Sequence, residues 1–68
     1  MEKYYILKCH YAERFLKGAE FGDGLFTDSE DKAMQFAVRK HAVDLQKTFD
    51  ALELVEVIVF DDGEKWYA

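Results

Sequence analysis

The stretch that decides the fold is Leu52-Glu53-Leu54-Val55-Glu56-Val57-Ile58-Val59-Phe60. Side chains alternate between the two faces of a strand, so one face carries leucine, isoleucine and phenylalanine with one glutamate, and the other carries three valines. A strand that is apolar on both faces is typical of a central strand buried from two directions. A chain of 68 residues has little material to cover both faces. We therefore expect one face to meet a partner.

Length and composition predict a single domain over residues 1–68. Half of the residues are hydrophobic, which supports a folded core. The one cysteine, Cys9, excludes an internal disulfide, and no Cys/His spacing resembles a zinc site. No apolar run approaches the roughly 20 residues of a membrane span. We predict a soluble, cytoplasmic protein with no cofactor, no metal and no membrane contact.

The net charge of −5 is unevenly distributed. Five acids and no base lie between residues 18 and 31, and six acids and no base lie between residues 50 and 64. Binding to nucleic acid depends on clustered Lys and Arg, so direct nucleic-acid binding is disfavoured. An acidic surface suits a protein partner with a basic surface, although it also serves solubility alone.

Alternation predicts the strands. Residues 3–11 form the first strand, with Tyr5, Leu7 and Cys9 on one face and Tyr4 and Ile6 on the other. Residues 14–18 form a short second strand, and a turn at 22–24 precedes a third at 25–27. After a turn at 61–64, residues 65–68 pair back as a terminal strand, unless this tail is frayed.

The segment Thr27-Asp28-Ser29-Glu30 carries a capping box and several N-cap residues, which predict a helix from Ser29 towards Phe49. At 100° per residue one stripe faces the core. Its members are Met34, Val38, Ala42, Leu45 and Phe49.

Phe36 and Val43 lie well off that stripe. Either the helix breaks near residues 36–38, or the face of the helix opposite the stripe also packs against another surface. The fold class is α+β, with one helix, intact or broken, on one face of an antiparallel sheet of three to four strands in the order β-β-(β)-α-β-(β).

A loose pattern runs through most of the chain: residues 4–8, 15–18 and 24–28, the series Ala33-x-x-Phe36-x5-Ala42-x-x-Leu45, and residues 55–59. The pattern resembles that of small uncharacterised bacteriophage and prophage proteins. This resemblance implies an accessory factor or an inhibitor that blocks a host or defence protein, as anti-CRISPR proteins do. It favours a role that is not enzymatic.

Candidate chemical sites each have a simpler interpretation. Cys9 and His10 point to opposite faces of a strand, and a pair of Cys9 with His41 lacks a third group, so no catalytic residue is assigned. The acids at 61–64 do not match a calcium loop. The acids of residues 18–31 have two interpretations: they imitate a row of phosphates, or they cap helices and turns. These acids are Glu20, Asp23, Asp28, Glu30 and Asp31.

Exposed aromatic residues are the stronger candidates for an interface, because Trp and Tyr are enriched at binding hot spots. If the helix packs on the valines of residues 52–60, we expect Ile6, Ile58 and Phe60 to be left uncovered together. If it packs on the other face, the valines are left uncovered. The predicted partner interface is Tyr4, Ile6, Tyr11, Asp23, Asp28, Asp31, Ile58, Phe60, Trp66 and Tyr67.

These observations predict a protein-binding accessory factor or inhibitor, not an enzyme, and a homodimer through the open sheet face is one form of it. The alternative is a structural or regulatory subunit of a larger assembly, or a homo-oligomer of another role.

Overall fold

The fold is an α+β domain in which one sheet carries a short helix. A computed structural model describes residues 1–20, 23–49 and 51–68, without the side chains of Ala19, Glu20 and Asp23. The predicted turn residue Gly22 and the predicted side-chain contact of Asp23 lie outside this description. The elements are β1 (Glu2–Cys9), β2 (Phe15–Glu20), β3 (Asp23–Thr27), a 3₁₀ turn (Glu30–Lys32), α1 (Arg39–Gln46), β4 (Leu52–Val59) and β5 (Lys65–Tyr67).

The five strands form one antiparallel sheet in the order β3-β2-β1-β4-β5. The predicted three to four strands are therefore too few, because both of the short optional strands exist. β4 lies between β1 and β5 and pairs with β1 over its full length, from Glu2 opposite Val59 to Cys9 opposite Leu52. The prediction of a central strand is confirmed.

β1 and β2 diverge beyond the pair Lys8 and Phe15. The segment 34–36 enters this gap. Tyr5 and Phe36 exchange two backbone hydrogen bonds of 2.8 Å, and the Met34 amide donates to the Leu16 carbonyl at 2.9 Å. The segment thus satisfies backbone groups that β2 leaves open, which a buried strand requires.

The predicted continuous helix from Ser29 to Phe49 is wrong, and the alternative of a break near residues 36–38 is confirmed. The start signal produces only the 3₁₀ turn, with Ser29 before it and no side-chain cap. Ala33 and Val38 are extended. The backbone bonds that Phe36 makes with Tyr5 require an extended segment, and this tertiary pairing overrides helix propensity.

The break also changes which helical residues are buried. Val38, predicted on the core stripe, is 48% exposed, while Phe36, predicted off the stripe, packs against the core. Ala42 is fully buried, and Leu45 and Phe49 pack beside it as predicted.

Both faces of the sheet are packed. On the helix side, where α1 lies, the buried cluster is Tyr5, Leu7, Leu16, Ala42 and Leu52. On the opposite side, called here the far side, it is Ile6, Ala33 and Val57. Ala33, at the end of the 3₁₀ turn, therefore packs on the face that the helix leaves open. Among the described residues, no helix combines the length and the apolar character needed to cross a membrane.

Candidate functional site

The ten predicted interface residues divide between the two sides of the sheet. Ile58 lies directly opposite Trp66 in the β4–β5 ladder, and Phe60 follows two positions after Ile58, so these three share the helix side. Ile6 lies opposite Val55 in the β1–β4 ladder, on the far side. The grouping of Ile6 with Ile58 and Phe60 is therefore wrong, because residues paired across a ladder share a face.

Ile58, Phe60 and Trp66 form an exposed surface, called here the aromatic patch. The rings of Phe60 and Trp66 meet edge to face, with centroids 5.9 Å apart and planes at 72°. Phe60 is 37% exposed and Trp66 is 60% exposed, and Ile58 beside them is partly buried. The two rings pack against each other, and together they present apolar area to solvent.

The patch is exposed because α1 is too short to cover it. The eight residues of α1 extend about 12 Å, whereas the eight residues of β4 extend about 26 Å. The Gln46 side chain donates to the Leu52 carbonyl at 2.9 Å, which fixes the helix over the first end of β4. The second end, from Ile58 onwards, extends beyond the helix.

A tight turn places Trp66 beside Phe60. The Phe60 amide donates to the Glu64 carbonyl, and the Gly63 amide donates to the Phe60 carbonyl, both at 2.9 Å. Gly63 has a φ of 88°, a conformation that favours glycine. The predicted turn and terminal strand at this position are confirmed.

Carboxylates border the aromatic patch. The Glu64 amide donates to Asp62 Oδ1 at 2.9 Å, and the Trp66 indole N–H donates to Glu64 Oε1 at 3.3 Å. Glu56 shares the helix side with Ile58, and Lys3 lies opposite Ile58 on β1. The Asp61 carboxylate contacts the Met1 amino group, so these two charges offset each other. The other charged groups named at this edge are three carboxylates and one ammonium.

The far-side candidates have other roles. Ile6 is 1% exposed and belongs to the core, so its predicted partner contact is wrong. Tyr4 is partly buried and packs against the same cluster. Tyr67 is 54% exposed, and its hydroxyl donates to Glu30 Oε2 at 2.8 Å. This hydrogen bond to a carboxylate, with smaller effects of burial and nearby charge, raises the pKa of Tyr67 to about 12.

The remaining candidates are scattered. Tyr11 is 86% exposed in the connection between β1 and β2, where its ring stands edge-on to His10. Asp28 follows β3, and Asp31 lies in the 3₁₀ turn; both are exposed. In the proposed row of phosphate-like acids, Glu30 is already bonded to Tyr67.

Sequence reasoning missed a groove on the far side. Its volume is about 400 Å³, and its lining combines apolar strand residues with charged ends: Ile6, Lys8, Glu13, Phe15, Glu30, Glu53, Val55, Tyr67 and Ala68. The signal available in the sequence was the alternation that places Lys8 and Ile6 on one face. The pairing of Lys8 with Glu53 depends on a register that no single segment reveals.

Cys9 and His41, the Cys/His pair considered from the sequence, lie in different environments. Cys9 is partly buried and packs against the helix-side core, while His41 is exposed on α1. Within residues 1–20, 23–49 and 51–68, no three His, Cys, Asp or Glu side chains cluster as metal ligands. No protein-family model, curated protein or solved structure matches the chain.

Proposed function

We propose that this protein is a non-enzymatic binding factor that attaches to a basic surface of a partner protein through the aromatic patch. The observation that carries the proposal is the exposed edge-to-face pair of Phe60 and Trp66 at the uncovered end of β4.

The patch has the composition of an interface anchor. Trp is enriched among residues whose truncation costs binding more than about 2 kcal/mol, and Phe adds apolar area at low conformational cost. The indole N–H of Trp66 donates to Glu64, and this contact lowers the side-chain freedom that Trp66 loses on binding.

The charges beside the patch favour a basic partner. Glu56, Asp62 and Glu64 outnumber Lys3 around the rings, and the whole chain carries a net charge of −5. A negative rim steers a positive surface into contact and accelerates association at low salt. A partner Arg or Lys also gains cation–π attraction over the Trp66 face.

The role of the complex is inferred from the resemblance to small phage and prophage proteins. An accessory factor or inhibitor needs a compact binding surface and no active site. Blocking a host or defence protein by occupying a basic surface fits the acidic rim of the patch.

Site-specific photocrosslinking tests the proposal. A photoreactive phenylalanine analogue replaces Trp66 in one variant and Tyr11 in the control, because Tyr11 is exposed but belongs to another surface. Both proteins are irradiated in lysate of the encoding cell or of its host, and crosslinked proteins are identified by mass spectrometry. We expect one basic protein to be captured from position 66 and not from position 11.

Light scattering distinguishes a foreign partner from a second copy of the chain. If the species crosslinked at position 66 is a second copy of the chain and the mass in solution is that of a dimer, the patch is a homodimer interface and the proposed foreign partner is wrong. Capture from position 11 alone would place the binding surface elsewhere and contradict the proposal.

A further inference from the structure

The far-side groove is a second candidate binding site, separate from the aromatic patch. Ile6 and Val55 lie opposite each other in the β1–β4 ladder and form its floor, with Phe15 beside them. Ile6 is fully buried and the other two are partly buried, so the floor is apolar and fixed by the sheet.

The groove has a charged group at each end. Lys8 and Glu53 face each other two residues along the strands from the floor, which is about 7 Å. Glu13 pairs with Lys8 at 3.3 Å, and His10 pairs with Glu53 at 2.6 Å. Towards β5, in the opposite direction, Tyr67 stands beside Glu30.

The Glu30 end offers the stronger site for a cation. The side chain of Glu30 is 26% exposed, against 44% for Glu53 and 88% for Glu13, so its charge is screened least by water. The Tyr67 hydroxyl and the Lys65 ammonium both contact Oε2 of Glu30, at 2.8 and 4.0 Å. A carboxylate has two acceptor oxygens, so Oε1 is available to a further donor.

We propose that this groove binds a lysine side chain presented by a partner polypeptide. The aliphatic stem lies on Val55 and Phe15, which are partly exposed beside the buried Ile6, and the ammonium donates to Glu30 Oε1. Lysine buries its methylene stem on apolar surface while its charged head keeps a polar partner, which matches an apolar floor ending in a carboxylate.

The total charge of the lining supports a cation. The lining contains the carboxylates of Glu13, Glu30 and Glu53 and the ammonium of Lys8, and a second ammonium, of Lys65, lies 4.0 Å from Glu30 Oε2, so carboxylates remain in excess by one. Lys8 lies at the far end from Glu30 and is paired with Glu13 at 3.3 Å.

An NMR titration of the isotope-labelled full chain tests this assignment. The probe is the peptide Gly-Ser-Lys-Ser-Gly, and the matched control peptide carries norleucine, which keeps the stem and lacks the charge. We expect saturable shifts of the Ile6, Val55 and Tyr67 amides with the lysine peptide and about tenfold weaker binding of the norleucine peptide, equivalent to 1.4 kcal/mol.

Three variants make the test specific. Glu30→Gln should weaken lysine binding about tenfold, and Val55→Thr, which keeps the shape but adds a hydroxyl to the floor, about threefold. Asp62→Asn removes the same charge near the aromatic patch and should change the affinity by less than about twofold. Thermal unfolding of each variant confirms that it is folded.

Several results would overturn the assignment. Equal weakening by Glu30→Gln and Asp62→Asn would show attraction to net charge only. Shifts confined to the aromatic patch, or no saturation up to about 10 mM peptide, would show that the groove is not the site. Tighter binding of spermidine than of the peptide would assign the groove to a free polyamine.

Discussion

The helix side and the far side of the sheet are covered by elements of very different size. On the far side, Ala33 at the end of the 3₁₀ turn packs with Ile6 and Val57, and Val57 is fully buried. On the helix side, α1 covers only one end, and Trp66 at the other end is 60% exposed. The length and the position of a covering segment together decide which apolar surface remains free for binding.

Aspartate substitutions at two neighbouring residues of β4, one facing the far side and one facing the helix side, should show the largest difference in stability between the two sides. Val57→Asp places a carboxylate in the far-side core, with an expected loss of more than about 4 kcal/mol, so the domain should not fold. Ile58→Asp lies at the edge of the aromatic patch and should cost about 1–2 kcal/mol. Circular dichroism with urea unfolding measures both. A folded Val57→Asp variant would contradict the far-side core.

The two cores are compared directly by truncating adjacent residues of β1. Ile6 is 1% exposed on the far side and Leu7 is 0% exposed on the helix side. Ile6→Ala and Leu7→Ala should each lower the free energy of unfolding by about 2–5 kcal/mol. Ile6→Val, at about 0.5–1.5 kcal/mol, keeps the far side measurable if the alanine variant is unfolded. A negligible loss at Ile6 alone would mean that the far side is open.

The far side also contains a titrating contact. The Tyr67 hydroxyl donates to Glu30, and the folded protein raises the pKa of Tyr67 from 10.0 to about 12. This contribution to stability is present below pH 10 and is lost as the pH rises through about 12, because only the protonated phenol donates. Glu30→Gln should return the pKa towards 10. The chemical shifts of the Tyr67 ring, measured by NMR as a function of pH, give this pKa. A pKa of Tyr67 that is unchanged in the Glu30→Gln variant would refute the contact.

The smallest expected effect is at the other end of the groove. The pair of His10 and Glu53 is about half exposed, so Glu53→Gln should change the free energy of unfolding by less than about 1 kcal/mol. Urea unfolding at low and high salt checks this value. A loss of several kcal/mol would show that the pair is structural and that the charged end of the groove is part of the core.

The sequence predicted the strands well because each strand carries its own alternation. The residues that face the core on β1 and the apolar character of both faces of β4 were readable from local pattern. The helix was predicted too long because Thr27–Glu30 carries strong start signals, while the bonds between Phe36 and Tyr5 that end it join residues 31 positions apart.

The two candidate binding sites also differ in how far the local sequence pattern predicts them. Ile58 and Phe60 share a face by simple alternation, and the turn at Gly63 brings Trp66 to them, so the aromatic patch was largely predictable. The groove was not, because its lining comes from β1, β2, the 3₁₀ turn, β4 and β5, and its charges meet only through long-range register.

Isothermal titration calorimetry of the unlabelled protein with the partner crosslinked at position 66 measures whether the aromatic patch is the binding surface. Trp66→Ala should weaken binding by more than about 2 kcal/mol, roughly thirtyfold, whereas Tyr11→Ala should leave it unchanged. Equal affinity of the Trp66→Ala variant and the original protein would contradict the claim that the aromatic patch is the binding surface.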